Sequence, residues 1–209
     1  MNNFTDIYSF LNDREREISA MVLLCKSSKV GEAVLIKSSI ILLAYNTIEG
    51  CYTKLNKEIF SFIAENYIPI SKLNVELQNV YYRYYKNIIN DIESLKRFYE
   101  NKEITSVTYD EICDKVTLFS GNLDARSIRE FSKKQVGIKK ISTLYGQKIG
   151  VIKTLRNKLA HGEITFQDAV RDKTLKEIED MCEDCIKFLE IVIKSYEDFF
   201  TNNIEILVS

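Results

Sequence analysis

The sequence predicts an all-α protein, and three observations carry that reading. One proline and seven glycines in 209 residues leave little material for the turns of a many-stranded sandwich or barrel. Lys, Glu, Ile and Leu are abundant, which suits long helices. Apolar residues also recur three and four apart along most of the chain, the period of a helix with one face in a core. The length suffices for one sizeable core and is short for two. No repeat, low-complexity tract or linker divides it, so residues 1–209 are expected to form a single domain.

From Phe4 to about Lys26 the positions Phe4, Ile7, Leu11, Ile18, Val22 and Cys25 make an apolar stripe, interrupted by the charged block Asp13 to Glu17. A longer helix is expected from about Val34 to Asn66, with Ile41, Tyr45, Ile48, Tyr52, Leu55, Ile59 and Phe62 on one side and Pro69 as its limit. Residues 73–100 carry Leu77, Tyr81, Tyr84, Ile88, Ile92, Leu95 and Tyr99 at helical spacing, although Leu73, Val75 and Leu77 alternate as a strand would. The irregular segment is placed around 101–121, where Val107 and Tyr109 favour a strand while Thr108 and Glu111 can form a capping box for one short helix. Asn122 or Asp124 can cap a helix ending before Gly137, and another is expected from about Ser142 to His161, closed by Gly162. The last helix starts at Thr174, with Glu177 three residues on, and keeps its stripe from Ile178 to Phe199.

A formal net charge of −1 excludes both a globally basic nucleic-acid coat and an acidic disordered chain. No run approaches 18 apolar residues, and the N-terminus lacks a basic region followed by an apolar one, so a cytoplasmic protein without membrane attachment is expected. Five cysteines, at 25, 51, 113, 182 and 185, suit reduced and mostly buried thiols rather than a disulfide framework. Cys182 and Cys185 form a C-x-x-C on an apolar stripe, which reads as core packing. The run Tyr81-Tyr82-Arg83-Tyr84-Tyr85 offers rings for stacking bases, but a helix must turn some of them inward.

The charge is distributed unevenly. Ten basic and two acidic residues lie between Gly121 and His161, whereas 5 basic and 12 acidic residues follow from Gly162 onward. Such a block is a footprint for RNA or another polyanion, with Arg126, Lys133, Lys134, Lys153 and Lys158 as the expected contacts. Neutralisation by the acidic last helix is the alternative.

The single histidine removes every site that needs two imidazoles from one chain, and no metal site is expected. No P-loop or dinucleotide-binding glycine pattern appears, and Gly146 and Gly150 lie alone in a stretch read as helix, so no nucleotide cofactor is expected. His161 closes the segment Leu155-Arg156-Asn157-Lys158-Leu159-Ala160-His161-Gly162. Arg156 and His161 stand about 140° apart around an ideal helix, yet a long arginine and a terminal histidine can both reach one phosphate. Asn157 shares the histidine's face and can fix its tautomer. Read alone, the pair has a structural alternative, with His161 meeting the helix dipole and Arg156 bridging to the last helix.

Arginine, four residues and histidine at a helix end resemble the R-x4-6-H signature of the HEPN superfamily, small helical bundles with long antiparallel helices. The resemblance extends to Leu43–Gly50 on the second helix, to Ser120–Ile128, and to Phe166 and Thr174 before the last helix, spanning about residues 34–200. Many members are metal-independent ribonucleases of bacterial toxin and defence systems. The resemblance implies a homodimer in which two copies of the motif helix form a composite site, with Glu49 approaching the motif. It also implies a regulatory partner such as an antitoxin. In HEPN toxins silenced by a nucleotidyltransferase, a tyrosine follows two residues after the histidine; Glu163 stands there, so modification at that place is not implied.

The chemistry that fits is attack of a ribose 2′-OH on the adjacent phosphodiester, leaving a 2′,3′-cyclic phosphate and a 5′-OH. His161, with an ordinary pKa near 6.5, would move the protons, and Arg156 would hold the non-bridging oxygens. The rival is a non-catalytic HEPN dimer that binds RNA or a protein without cutting.

Overall fold

The computed structural model describes residues 4–101, 107–119 and 121–208. Among them are nine helices and no strand, an all-α fold. Three are long: α1 (Phe4–Ser27), α2 (Val30–Glu65) and α9 (Leu175–Val208). Between them lie α3 (Val75–Ile88), α4 (Ile92–Asn101), α5 (Tyr109–Lys115), α6 (Ala125–Phe131), α7 (Ile149–Ala160) and α8 (Phe166–Val170). A 3₁₀ turn at Ile70–Lys72 precedes α3, and a π-helical turn at Ser132–Val136 extends α6.

α2 is the axis of the bundle, packing on α1, α7, α8 and α9. By length and composition alone it could cross a membrane. Its apolar residues instead meet protein: Ile40, Tyr45, Ile48, Cys51, Leu55 and Phe60 are fully buried. The short α1–α2 connection makes those two helices antiparallel. α1 also runs against α9, since Phe4 meets Phe200 at one end and Lys26 pairs with Glu179 at the other. α2 and α9 are parallel: Lys37 Nζ donates to the Lys173 carbonyl near their starts, and Phe62 packs 4.5 Å from Phe200 near their ends. The expected antiparallel arrangement therefore holds for α1 only, because the chain between α2 and α9 crosses back as α3–α8.

Local signals explain most boundaries. Thr108 and Glu111 cap α5, Asp124 caps α6, and Thr174 and Glu177 start α9. α2 begins four residues earlier than expected, where the Glu32 carboxylate accepts from Lys29 N–H. The helix expected over 73–100 is two helices: Asn74 caps α3, which settles the Leu73–Leu77 alternation against a strand, and Asp91 accepts from Ser94 N–H to start α4. Residues 102–106 and 120 of the segment read as irregular lie outside the described residues.

The clearest departure concerns the helix expected from Ser142. Residues 137–148 form an ordered loop, and α7 starts only at Ile149. Gly137 and Gly146 both adopt φ +93°, which stops helix propagation. Gly146 is additionally pressed against Ala125 and the Phe188 ring, where a Cβ would come within 2.8 Å of both. The loop's backbone groups find partners on neighbouring helices. Arg129 donates to the Ser142 and Tyr145 carbonyls, and the Asp184 carboxylate accepts from Gly146 and Lys148 N–H. Lys139, Lys140 and Lys148 of the basic block thus lie on loop, and Gly146 does not lie in a helix.

Four of the five cysteines are buried and unpaired, while Cys113 is exposed. Tyr81 and Tyr84 turn into the core, leaving Tyr82 and Tyr85 half-buried.

Candidate active site

α7 is seated by Ile149 and Ile152, both buried, and by the half-buried Leu155 and Leu159. Its C-terminus is a complete two-bond cap. Gly162, at φ +68°, donates to the Leu159 carbonyl, and Glu163 N–H reaches back to Lys158. His161 is the capping residue, and its imidazole is exposed and makes no hydrogen bond to the described residues. Val151, Thr154, Lys158 and His161 follow each other at spacings of three and four on the outward face of α7, and all are exposed.

Arg156 is held from three sides. One terminal nitrogen donates to Glu49 Oε2 at 2.9 Å, the other to Asn157 Oδ1 at 2.9 Å, and the guanidinium carbon lies 4.2 Å from the Tyr45 ring centroid. The Arg156 and Glu49 side chains keep 24% and 26% of their exposure, so the pair is sheltered yet open to a ligand. Two of five guanidinium N–H groups are engaged in these bonds, which leaves three for other acceptors.

Tyr45, fully buried, links this group to the loop before α6: its hydroxyl donates to the Gly121 carbonyl at 2.8 Å and accepts from Leu123 N–H at 2.9 Å. Burial and then the Glu49 carboxylate push the Tyr45 phenol up to about 12, so it remains a neutral hydroxyl. Asn157 Nδ2 donates to Asn122 Oδ1 at 2.6 Å, and Lys153 pairs with Asp124, the α6 cap, at 2.5 Å. Burial would raise the Asp124 carboxyl, but Lys153 and the Ser127 N–H outweigh it and hold it below the ordinary range.

The structure therefore brings Glu49, Arg156 and Asn157 together, while His161 stands apart at the helix end. The expected bond from Asn157 to the imidazole is not formed, because that side chain is occupied by Arg156 and Asn122. Arg156 pairs with α2, not with the acidic last helix. Among the expected RNA contacts, Lys153 is bound to Asp124, Arg126 and Lys134 share Glu130, and Lys133 and Lys158 have no ion pair among the described residues. No three His, Cys, Asp or Glu side chains cluster to hold a metal among those residues. Tyr45, read as core, and Asn122, read as a possible helix cap, are not among the expected site residues, though Tyr45 stands four residues before Glu49 and so shares its helix face.

The family model described as HEPN_MAE_28990-like HEPN matches residues 5–203. The chain belongs to this HEPN family. The match takes in α1, which the motif-based resemblance had left out. No curated protein and no solved structure matches it. Within this HEPN domain the Arg156–His161 segment is the last turn and a half of α7, exposed at its histidine end and anchored at its arginine end.

Proposed function

We propose that this HEPN protein is a metal-independent endoribonuclease, cytoplasmic and homodimeric, acting as a toxin or defence effector under a partner's control. The observation that carries the reading is the division of labour along α7: a guanidinium fixed by Glu49, Asn157 and Tyr45 with donors to spare, and a free imidazole one and a half turns on.

The reaction follows from those groups. A neutral His161 takes the proton from a ribose 2′-OH, the 2′ oxygen forms a bond to phosphorus, and the P–O5′ bond breaks. The leaving 5′ oxygen takes a proton from an imidazolium, which in a dimer is His161 of the second copy. Arg156 binds the non-bridging oxygens as charge builds on them. The outward row Val151, Thr154, Lys158 and His161 supports pairing of two α7 helices, since Val151 is 42% exposed.

The test is to incubate purified protein with RNA in EDTA beside Arg156→Ala and His161→Ala. Cutting by the parent, lowered about 10²–10⁴-fold by either change with RNA binding retained, is the expected result. Binding without cutting by every form would leave the non-catalytic dimer.

A further inference from the structure

We propose that the cleft between α6 and the 137–148 loop binds the sugar–phosphate backbone of RNA, at a surface that neither Arg156 nor His161 lines. This deepens the ribonuclease reading by giving the substrate strand a second hold, and it rests on that reading for the choice of RNA.

The cleft measures about 490 Å³, and Arg129, Glu130, Lys133, Lys139, Lys140 and Ser142 are among the residues that line it. Four cations thus face one carboxylate. That carboxylate is already matched, because Glu130 lies 3.1 Å from Arg126 and 3.6 Å from Lys134. Lys133, Lys139 and Lys140 are exposed, and no carboxylate stands within 4.0 Å of them among the described residues. The Arg129 guanidinium is turned to the Ser142 and Tyr145 carbonyls and to the Phe188 ring, at 4.8 Å; it has no ion pair within 4.0 Å among the described residues, and the Asp184 carboxylate acts on its charge only from farther off.

The cations are also displayed from a fixed support. Ile138 and Ile141 are buried on either side of Lys139 and Lys140, pinning the loop to the core and leaving the lysine pair outward. Arg129 and Asp184 tie the loop's later half at Ser142, Tyr145, Gly146 and Lys148. Like charges gathered on a rigid loop repel one another, and a polyanion relieves that repulsion while releasing its own counterions. No aromatic side chain lines the cleft, so contact is with phosphates and does not depend on base identity.

Binding is read by fluorescence anisotropy of a labelled 20-nucleotide uridine RNA in the full-length His161→Ala protein, across a salt series. Adding Lys133→Ala, Lys139→Ala and Lys140→Ala together is expected to weaken binding at least about tenfold and to reduce the slope of log K against log salt by roughly two, at about 0.7 per phosphate contact. A control with the same net charge, Lys26→Ala, Lys176→Ala and Lys194→Ala, should stay within about twofold. Helix content by circular dichroism confirms that each variant is folded. An unchanged slope in the cleft variant, an equal loss in the control, or no binding by the parent overturns the proposal. Lysine-dependent binding together with no RNA cutting by the unsubstituted protein would sustain the cleft and remove the ribonuclease reading; cutting by the unsubstituted protein with an unchanged slope would do the reverse.

Discussion

At the residue scale, Tyr45 is where the bundle and the motif meet. Its ring faces Arg156 and its hydroxyl serves both a donor and an acceptor of the loop before α6. Tyr45→Phe keeps the ring and strands the Gly121 carbonyl and the Leu123 N–H, and should cost about 1–3 kcal/mol in urea unfolding. A variant as stable as the parent would show that water satisfies both groups. The motif itself was readable because Arg156, Asn157 and His161 lie within one stretch of sequence. Of their partners, Glu49 on α2 came only through the family resemblance and Asn122 not at all, since both lie more than thirty residues away and nothing local says which side chain Asn157 will meet. The expected Asn157–imidazole bond failed for that reason: spacing four residues apart permits a contact, while a competing amide and guanidinium took it.

At the element scale, caps and apolar periods located α1, α2, α6 and α9, because each is decided by residues three or four apart, whereas α5 lies in a segment that the sequence leaves open between a strand and the short helix that Thr108 and Glu111 cap. The 137–148 loop was missed because its conformation rests on distant side chains, Arg129 and Asp184, and on a Phe188 ring that only a glycine can approach so closely. The start of α6 carries a pH signature. Asp124 caps α6 and pairs with Lys153, and its carboxyl is held below its ordinary value. A carboxyl with a lowered folded-state pKa contributes stability above its unfolded pKa, near 4, and loses it as pH falls through the folded value. Asp124→Asn should therefore cost about 1 kcal/mol at pH 7, and thermal melts should show the gap closing as pH drops below about 4. A gap independent of pH would mean that the pair with Lys153 contributes nothing.

At the scale of the whole molecule, one axis helix, α2, organises both the core and the arginine end of the site, and α7 lies across it with its outer row uncovered. Pairing two such rows would bring two imidazoles to one strand, supplying a base and an acid from a chain that has a single histidine. Val151→Glu places a charge at the start of that row without touching Arg156 or His161. It should halve the mass seen by light scattering, keep the helical spectrum, and lower RNA cutting at least about tenfold. A parent that is monomeric and still cuts would contradict the composite arrangement.

The central claim concerns the nucleophile, and one substrate pair tests it most directly. An RNA oligomer and its copy with a single 2′-deoxyribose at the cleaved position are incubated with the protein in EDTA, and the ends are identified by mass spectrometry. The account predicts a 2′,3′-cyclic phosphate and a 5′-OH from the first and no cut at the substituted position in the second. Cutting of the deoxy-substituted strand, or 5′-phosphate ends, would contradict it.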